Sequence, residues 1–249
     1  MAIILKSDQE IAVMRQAGRI VAVTLEALAR AIKPGMKTAE LDVIAENEIR
    51  SRNGTPSFKG YHGFPASICV SINDEVVHGI PGSRVVKEGD IVSLDVGAIF
   101  EGFQGDAALT VPVGKVSQQA EALLEATRGA LMAGIAAAKA GARLGDVSSA
   151  IQEHVESRGF SVVREYVGHG IGREMHEEPQ VPNFGAPGHG PLLQKGMTMA
   201  LEPMVNVGDW RTKVDSNKWT VRTLDGSLSA HFEHTIAVTE GQAEILTKA

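Results

Sequence analysis

One cysteine, Cys69, in 249 residues excludes an intramolecular disulfide framework. No apolar run approaches the roughly 20 residues that cross a bilayer, which excludes a membrane-spanning helix. Aromatic residues are few, at 4%, yet 43% of residues are hydrophobic, enough for one large domain or two small ones. The net charge of -6 comes from well-mixed acidic and basic residues, so no nucleic-acid surface is expected. No low-complexity linker occurs. The opening "MAIILKSDQEIAVMRQAGRI" has a short apolar run followed by charges, without a signal-peptide layout, and a cytoplasmic location is expected.

What is present is periodic. Ile11, Met14, Ile20, Val21, Leu25 and Leu28 fall at helical spacing between Ser7 and Ile32, with Ser7 or Asp8 as N-cap. A second helix is expected from a Thr38 cap, facing Leu41, Ile44, Ala45 and Ile49 inward and ending at Asn53-Gly54. "IKPGMKTAELDVIAENEIRSRNG" from Ile32 then recurs as "AKAGARLGDVSSAIQEHVESRGF" from Ala138, 106 residues later. The register aligns Gly35 with Gly141, Leu41 with Val147 and Ile49 with Val155. Two helix-loop-helix copies, each followed by strands, predict one pseudo-symmetric α+β domain, with strands gathered centrally and helices covering one side. The chain is read as a single domain of two related halves, about 1–115 and 116–249. Among the later strands, "KWTVRT" and "SLSAHFEHTIAVT" flank Asp225-Gly226, a hairpin-turn signal.

Acidic residues stand where a core strand should have none. "DIVSLDVGAIFEGFQGDAALTVPV" reads as a hairpin, and a turn centred between Phe100 and Glu101 sets Asp95 opposite Asp106. Like charges across a ladder repel, and buried they cost several kcal/mol unless something positive lies between them. Glu202 in "MTMALEPMV" and Glu233 in "LSAHFEHTIAV" repeat the anomaly, and alternation puts His231, Glu233 and Thr235 on one face. His169 projects from between two glycines in "VGHGIG". Four carboxylates and one imidazole suit Mn, Fe(II), Co or Zn. Four negative charges are neutralised by two divalent ions, roughly 3.5–4 Å apart in such sites.

His78 in "NDEVVHGIPG" and His176 in "GREMHEEP" are further candidates, able to donate to a carbonyl, steady an oxyanion or protonate a leaving amine. The remaining histidines, 62, 154, 189, 231 and 234, read as structural or exposed. No G-x-S-x-G, H-E-x-x-H or dinucleotide-type glycine motif is present, and Cys69 has no neighbouring histidine in sequence. Metal-activated water is the chemistry that remains.

The motifs "SINDEVVHGIP", "GDIVSLDVGAIFEGFQGDAALTVPVG", "VVREYVGHGIGREMHEEPQVPN", "GMTMALEPMV" and "SLSAHFEHTIAVT" make the chain resemble type I methionine aminopeptidases over essentially its whole length. The resemblance implies the pita-bread fold of that family, in its compact form, with neither an N-terminal zinc-binding extension nor a long insertion between His169 and Glu202. It implies Asp95, Asp106, His169, Glu202 and Glu233 as metal ligands, with Asp106 and Glu233 bridging two ions. Glu202 then shuttles a proton, His78 contacts the scissile amide and His176 stabilises the oxyanion. Tyr61, Phe64, Cys69 and Trp219 match the pocket for the methionine side chain. The implied substrates are nascent or small peptides with a free N-terminal methionine, met near the ribosome by a monomeric enzyme. His231 and Met175 depart from the family pattern, where Gln and Phe are usual. An X-Pro aminopeptidase or prolidase of the same fold, and a binding module that has lost activity, are the competing expectations.

Overall fold

The computed structural model describes residues 2–249. Ser7 caps α1 (Asp8–Ala31): its hydroxyl accepts from the Glu10 amide, and the Glu10 carboxylate accepts from the Ser7 amide. All six apolar positions of the α1 stripe are buried. The second helix, α2 (Thr38–Ser51), starts differently from the expectation. Lys37 occupies the cap position and its amide donates to Glu40, while the Thr38 hydroxyl is buried against Gly82. A buried hydroxyl beside an open backbone pair across the loop is better satisfied there than at the exposed helix end.

The strand Ile91–Phe100 pairs with Phe103–Pro112 along ten residue pairs, from Ile91 opposite Pro112 to Phe100 opposite Phe103. Glu101 (φ 47°) and Gly102 (φ 78°) form the turn, the left-handed pair that matches strand twist in two-residue hairpins. The turn therefore sits one residue later than its expected centre. Asp95 lies opposite Ala108, and Asp106 opposite Gly97, so the two aspartates are diagonal neighbours, not a facing pair. Moving the turn centre by one whole residue keeps the parity of the pairing, and both side chains stay on one face. α1 crosses this hairpin closely at Gly105, where a Cβ would meet the backbone of Ala17 and Gly18 at 2.8 Å.

The second helix pair, α3 (Gln118–Ala137) and α4 (Leu144–Glu156), repeats the first, with α4 beginning as far after α2 as the sequence repeat requires. The strands beyond α4 are short and interrupted. Gly168–Gly170, Thr198–Leu201, His234–Ala237, Glu177–Val181 and Glu244–Ile245 form a five-stranded sheet, and a smaller sheet pairs Met204–Asn206 with Ser229–His231. Every strand pair is antiparallel. Asp225-Gly226 does turn the chain, but the flanking strands enter different sheets and do not pair with each other. The Asp225 carboxylate accepts from the Asp209 and Ser227 amides and stabilises a loop instead of a hairpin.

A seam joins the hairpin to the last long strand. Ala108 and Glu233 exchange backbone hydrogen bonds. On either side, threonine hydroxyls replace main-chain partners: Thr110 donates to the His231 carbonyl and accepts from its amide, and Thr235 does the same for Asp106. One aliphatic core lies under α1 and α2 around Leu94 and Val96, another under α3 and α4 around Met199, Leu201 and Ile236. Among the described residues, no helix is long and apolar enough to cross a membrane.

Candidate metal centre

The regular hairpin delivers Asp95 and Asp106 to one face, and the seam then brings Glu233 beside them, because Glu233 pairs with Ala108, two residues from Asp106. Glu202 stands where the chain leaves Thr198–Leu201, ahead of Pro203, and breaks the sheet there. A proline donates no ladder hydrogen bond, so the interruption is written into the sequence. His169 sits at a register shift between His169 and Gly170 in its pairing with Glu177–Val181. Such bulges re-aim a side chain.

Asp106, His169 and Glu233 bring ligand atoms within 4.8 Å of one another. His169 Nε2 is 3.6 Å from Glu202 Oε1 and 3.9 Å from Asp106 Oδ2. The opposite ring nitrogen, Nδ1, lies 2.9 Å from the Gly170 carbonyl, which can only accept, so the proton is on Nδ1 and the Nε2 lone pair faces the acids. Burial holds the His169 pKa down to about 3, keeping the ring neutral. The acids move the other way. Burial raises Asp95 to about 7, and burial together with the neighbouring carboxylates raises Asp106, Glu202 and Glu233 well above their ordinary values.

Asp95 Oδ1, Asp106 Oδ1 and Glu233 Oε1 are buried without a hydrogen-bond partner. Orphaned buried carboxylate oxygens gathered beside an imidazole lone pair are unfavourable alone and match a divalent cation site of hard oxygen donors and one nitrogen. The donor set thus fits divalent metal binding.

These groups form one wall of a cavity of about 230 Å³. His78 and His176 also line it, as do Tyr61, Phe64, Cys69 and Trp219. All eleven candidate residues named from the sequence therefore meet in one place. His78 holds a left-handed backbone (φ 59°), strained for a non-glycine residue, and burial lowers its pKa to about 4. The His176 ring lies 4.3 Å from that of His169, and its Nδ1 is 2.8 Å from the Tyr61 hydroxyl. Cys69 faces Asp95 across the sheet, and burial with the nearby acids pushes its thiol pKa up, so it remains a neutral wall atom.

Phe58, His62 and Met175 also line the cavity and were not among the candidates. The one local signal for His62 is Gly63 directly after it in "GYHGF", and its φ of 47° sets it in a tight turn. His231, read as structural or exposed, is 2% exposed, and its unpartnered Nε2 lies 3.8 Å from both Glu202 and Glu233.

The chain matches the metallopeptidase family M24 over residues 12–240. It is 57% identical over 246 residues to a methionine aminopeptidase of Clostridium acetobutylicum, covering 98% of each chain. It is 55% identical to methionine aminopeptidase 1 of Bacillus subtilis, with 99% of each covered. The crystal structure of a methionine aminopeptidase from Thermotoga maritima superposes with a TM-score of 0.98 at 51% identity, over the full length of both chains.

Proposed function

Because the chain belongs to metallopeptidase family M24, we propose that it is a methionine aminopeptidase that removes the N-terminal methionine from newly made proteins and peptides. The observation that carries this reading is the cluster of partnerless buried carboxylate oxygens around a neutral imidazole, in the wall of a side-chain-sized cavity. The pita-bread fold is common to the chain and its relatives. We read it as a single catalytic domain of two related halves, about 1–115 and 116–249.

Asp95, Asp106, His169, Glu202 and Glu233 are the proposed ligands, which would hold two divalent ions of Co, Mn, Fe(II) or Zn. Bound cations supply positive charge and the Lewis acidity that makes water nucleophilic at neutral pH. Glu202, the ligand at the strand break, accepts the proton that the attacking water gives up and returns it to the leaving amine. This role requires the Tyr61 hydroxyl to donate to His176 Nδ1, 2.8 Å away, which puts the His176 proton on Nε2, free to donate to the carbonyl oxygen as charge develops there. Burial keeps Tyr61 protonated by raising its pKa, and keeps His176 neutral by lowering its own. His78, also neutral, is proposed to hold the scissile amide. Phe64, Trp219, Cys69 and Tyr61 would enclose the methionine side chain, Phe64 and Trp219 meeting edge to face with centroids 5.1 Å apart. The proposal extends to action in the cytoplasm, close to the ribosome, by a monomer.

Full-length identity to methionine aminopeptidases disfavours the X-Pro alternative. Metal-stripped protein supplied with Mn, Fe(II), Co or Zn in turn is expected to release methionine from Met-Ala-Ser and to leave an X-Pro counterpart intact. Cleavage of the X-Pro peptide alone would reverse the choice, and inactivity with every ion would point to a binding module. His176→Ala is expected to retain metal and lose about 10²-fold in kcat, the size typical of an oxyanion donor; full kcat would remove His176 from this role.

A further inference from the structure

His176 is carried by an irregular loop, residues 172–176, that belongs to no strand. The residue after it, Glu177, folds this loop back on itself. Its Oε1 accepts from the amides of Arg173, at 2.9 Å, and Glu174, at 3.3 Å. The Gly172 amide closes the turn on the Glu174 carbonyl at 3.1 Å. The other oxygen of Glu177 is engaged by Lys6, from the segment preceding α1, in an ion pair whose side chains are 4% and 8% exposed. Lys6 is itself fixed. Its amide donates to the Gly196 carbonyl at 2.8 Å, and its ammonium group also donates to the Ile4 carbonyl at 3.2 Å. Its stem passes so close to Gly172 that a Cβ there would meet Lys6 Cε at 2.4 Å.

A desolvated ion pair is a poor source of net stability, because both charges have lost their water. Its geometry, however, is hard to relax, since breaking it strands a buried charge. Here that rigidity acts on a short loop ending in a side chain that reaches into the cavity. We propose that the Lys6–Glu177 ion pair is a positioning device, through which the segment before α1 holds the 172–176 loop and sets the His176 ring against Tyr61 and the cavity. Lys6 and Glu177 touch no substrate and act through His176. The inference rests on the proposed role of His176 in the reaction.

The test is a double-mutant cycle on the metal-loaded full chain, using Met-Ala-Ser hydrolysis. Lys6→Met, which keeps the stem and removes the charge, is expected to lower kcat about tenfold with KM within about twofold, as a misplaced catalytic group does. In a His176→Ala background the same change is expected to alter kcat by less than about twofold, because the group it positions is gone. A tenfold loss in both backgrounds, or no loss in the first, overturns the proposal. Should His176→Ala retain full kcat, the functional reading of His176 fails instead, so the two failures are distinguishable. If Lys6→Met does not fold, Lys6→Met/Glu177→Gln removes the stranded charge and enters the same cycle. A second readout needs no activity: the Arg173 and Glu174 amides are expected to exchange hydrogen at least about tenfold faster in Lys6→Met, with the α1 amides unchanged. Unchanged loop protection would also overturn the proposal.

Discussion

The two helix pairs are alike, and the strands attached to them are not. In both, a left-handed glycine, Gly35 or Gly141, precedes the second helix. In both, an acid in its first turn, Glu40 or Asp146, accepts from the amide at the cap position. After the first pair comes a ten-residue hairpin in unbroken register that carries two ligand candidates on regular strand positions. After the second pair the sheet is cut into pieces of two to five residues, and His169, Glu202 and Glu233 stand at a bulge or a gap. Regular strands suffice to put two acids on one face, one diagonal step apart. Gathering an imidazole and two further acids around them takes interruptions, because strict alternation would send neighbouring ligands to opposite faces. The helix repeat supplies the frame, and departure from repetition supplies the centre.

The sharpest way to test that division is to remove one carboxylate from each side. Asp106→Asn and Glu233→Gln are both expected to abolish hydrolysis and the stabilisation that added metal confers. Neither should lower the melting temperature of the metal-free protein. Each removes a member of a mutually repelling set, and a one-unit pKa displacement corresponds to about 1.4 kcal/mol. Thermal scans with and without metal decide this; a metal-free variant melting well below the parent would mean that the acids are structural.

The same electrostatics gives a pH dependence. The buried carboxylates have raised pKa values, so above their ordinary range the folded state holds more protons than the unfolded chain, and stability falls as pH rises. The buried histidines, His169 and His231 at about 3 and His78 and His234 at about 4, act oppositely, but only below their ordinary value of 6.5. Above pH 6.5 the carboxylates are left unopposed. The metal-free protein is expected to melt progressively earlier from about pH 6.5 to 8.5, and metal should flatten the trend. A flat profile without metal would argue that the acids are solvated.

The seam between the two regions is the next point of attack. Thr235→Val keeps shape but strips the amide and carbonyl of Asp106 of their hydroxyl partner. Leaving buried backbone groups unpaired costs about 1–3 kcal/mol. Denaturant unfolding should show that loss, with weaker metal retention because Asp106 is no longer held. An unchanged midpoint would mean that water replaces the hydroxyl.

Much of this was legible beforehand, and the residues show why. The α1 stripe and its Ser7 cap depend on local spacing, and both formed as expected. Acids in apolar runs are anomalous by composition alone, so Asp95, Asp106, Glu202 and Glu233 could be singled out without coordinates. The Thr38 cap was missed because its hydroxyl bonds to Gly82, 44 residues away, and local propensity does not see that partner. The hairpin register was misplaced because several residues around Gly102 could carry a turn, and only the observed pair, Glu101-Gly102, closes Phe100 on Phe103. His62 was passed over because an exposed loop histidine carries no periodic signal, and its place on the cavity wall is a tertiary fact.

The smallest effect expected is also the most direct check on the likeness of the two helix pairs. Gly35 has φ 92° and Gly141 φ 85°, and a Cβ at either position would meet no atom within 4 Å. Sterically, alanine is therefore tolerated at both, and its whole cost is the left-handed backbone. That should amount to about 1 kcal/mol at each site, roughly equal between them. Neither loop borders the cavity, so kcat should not change. If Gly35→Ala and Gly141→Ala differed by much more than about 0.5 kcal/mol in denaturant unfolding, the loops would be alike in outline only. Equal losses with unaltered activity would show that the repeat is energetic as well as geometric, and that the centre tolerates small stability losses in either frame.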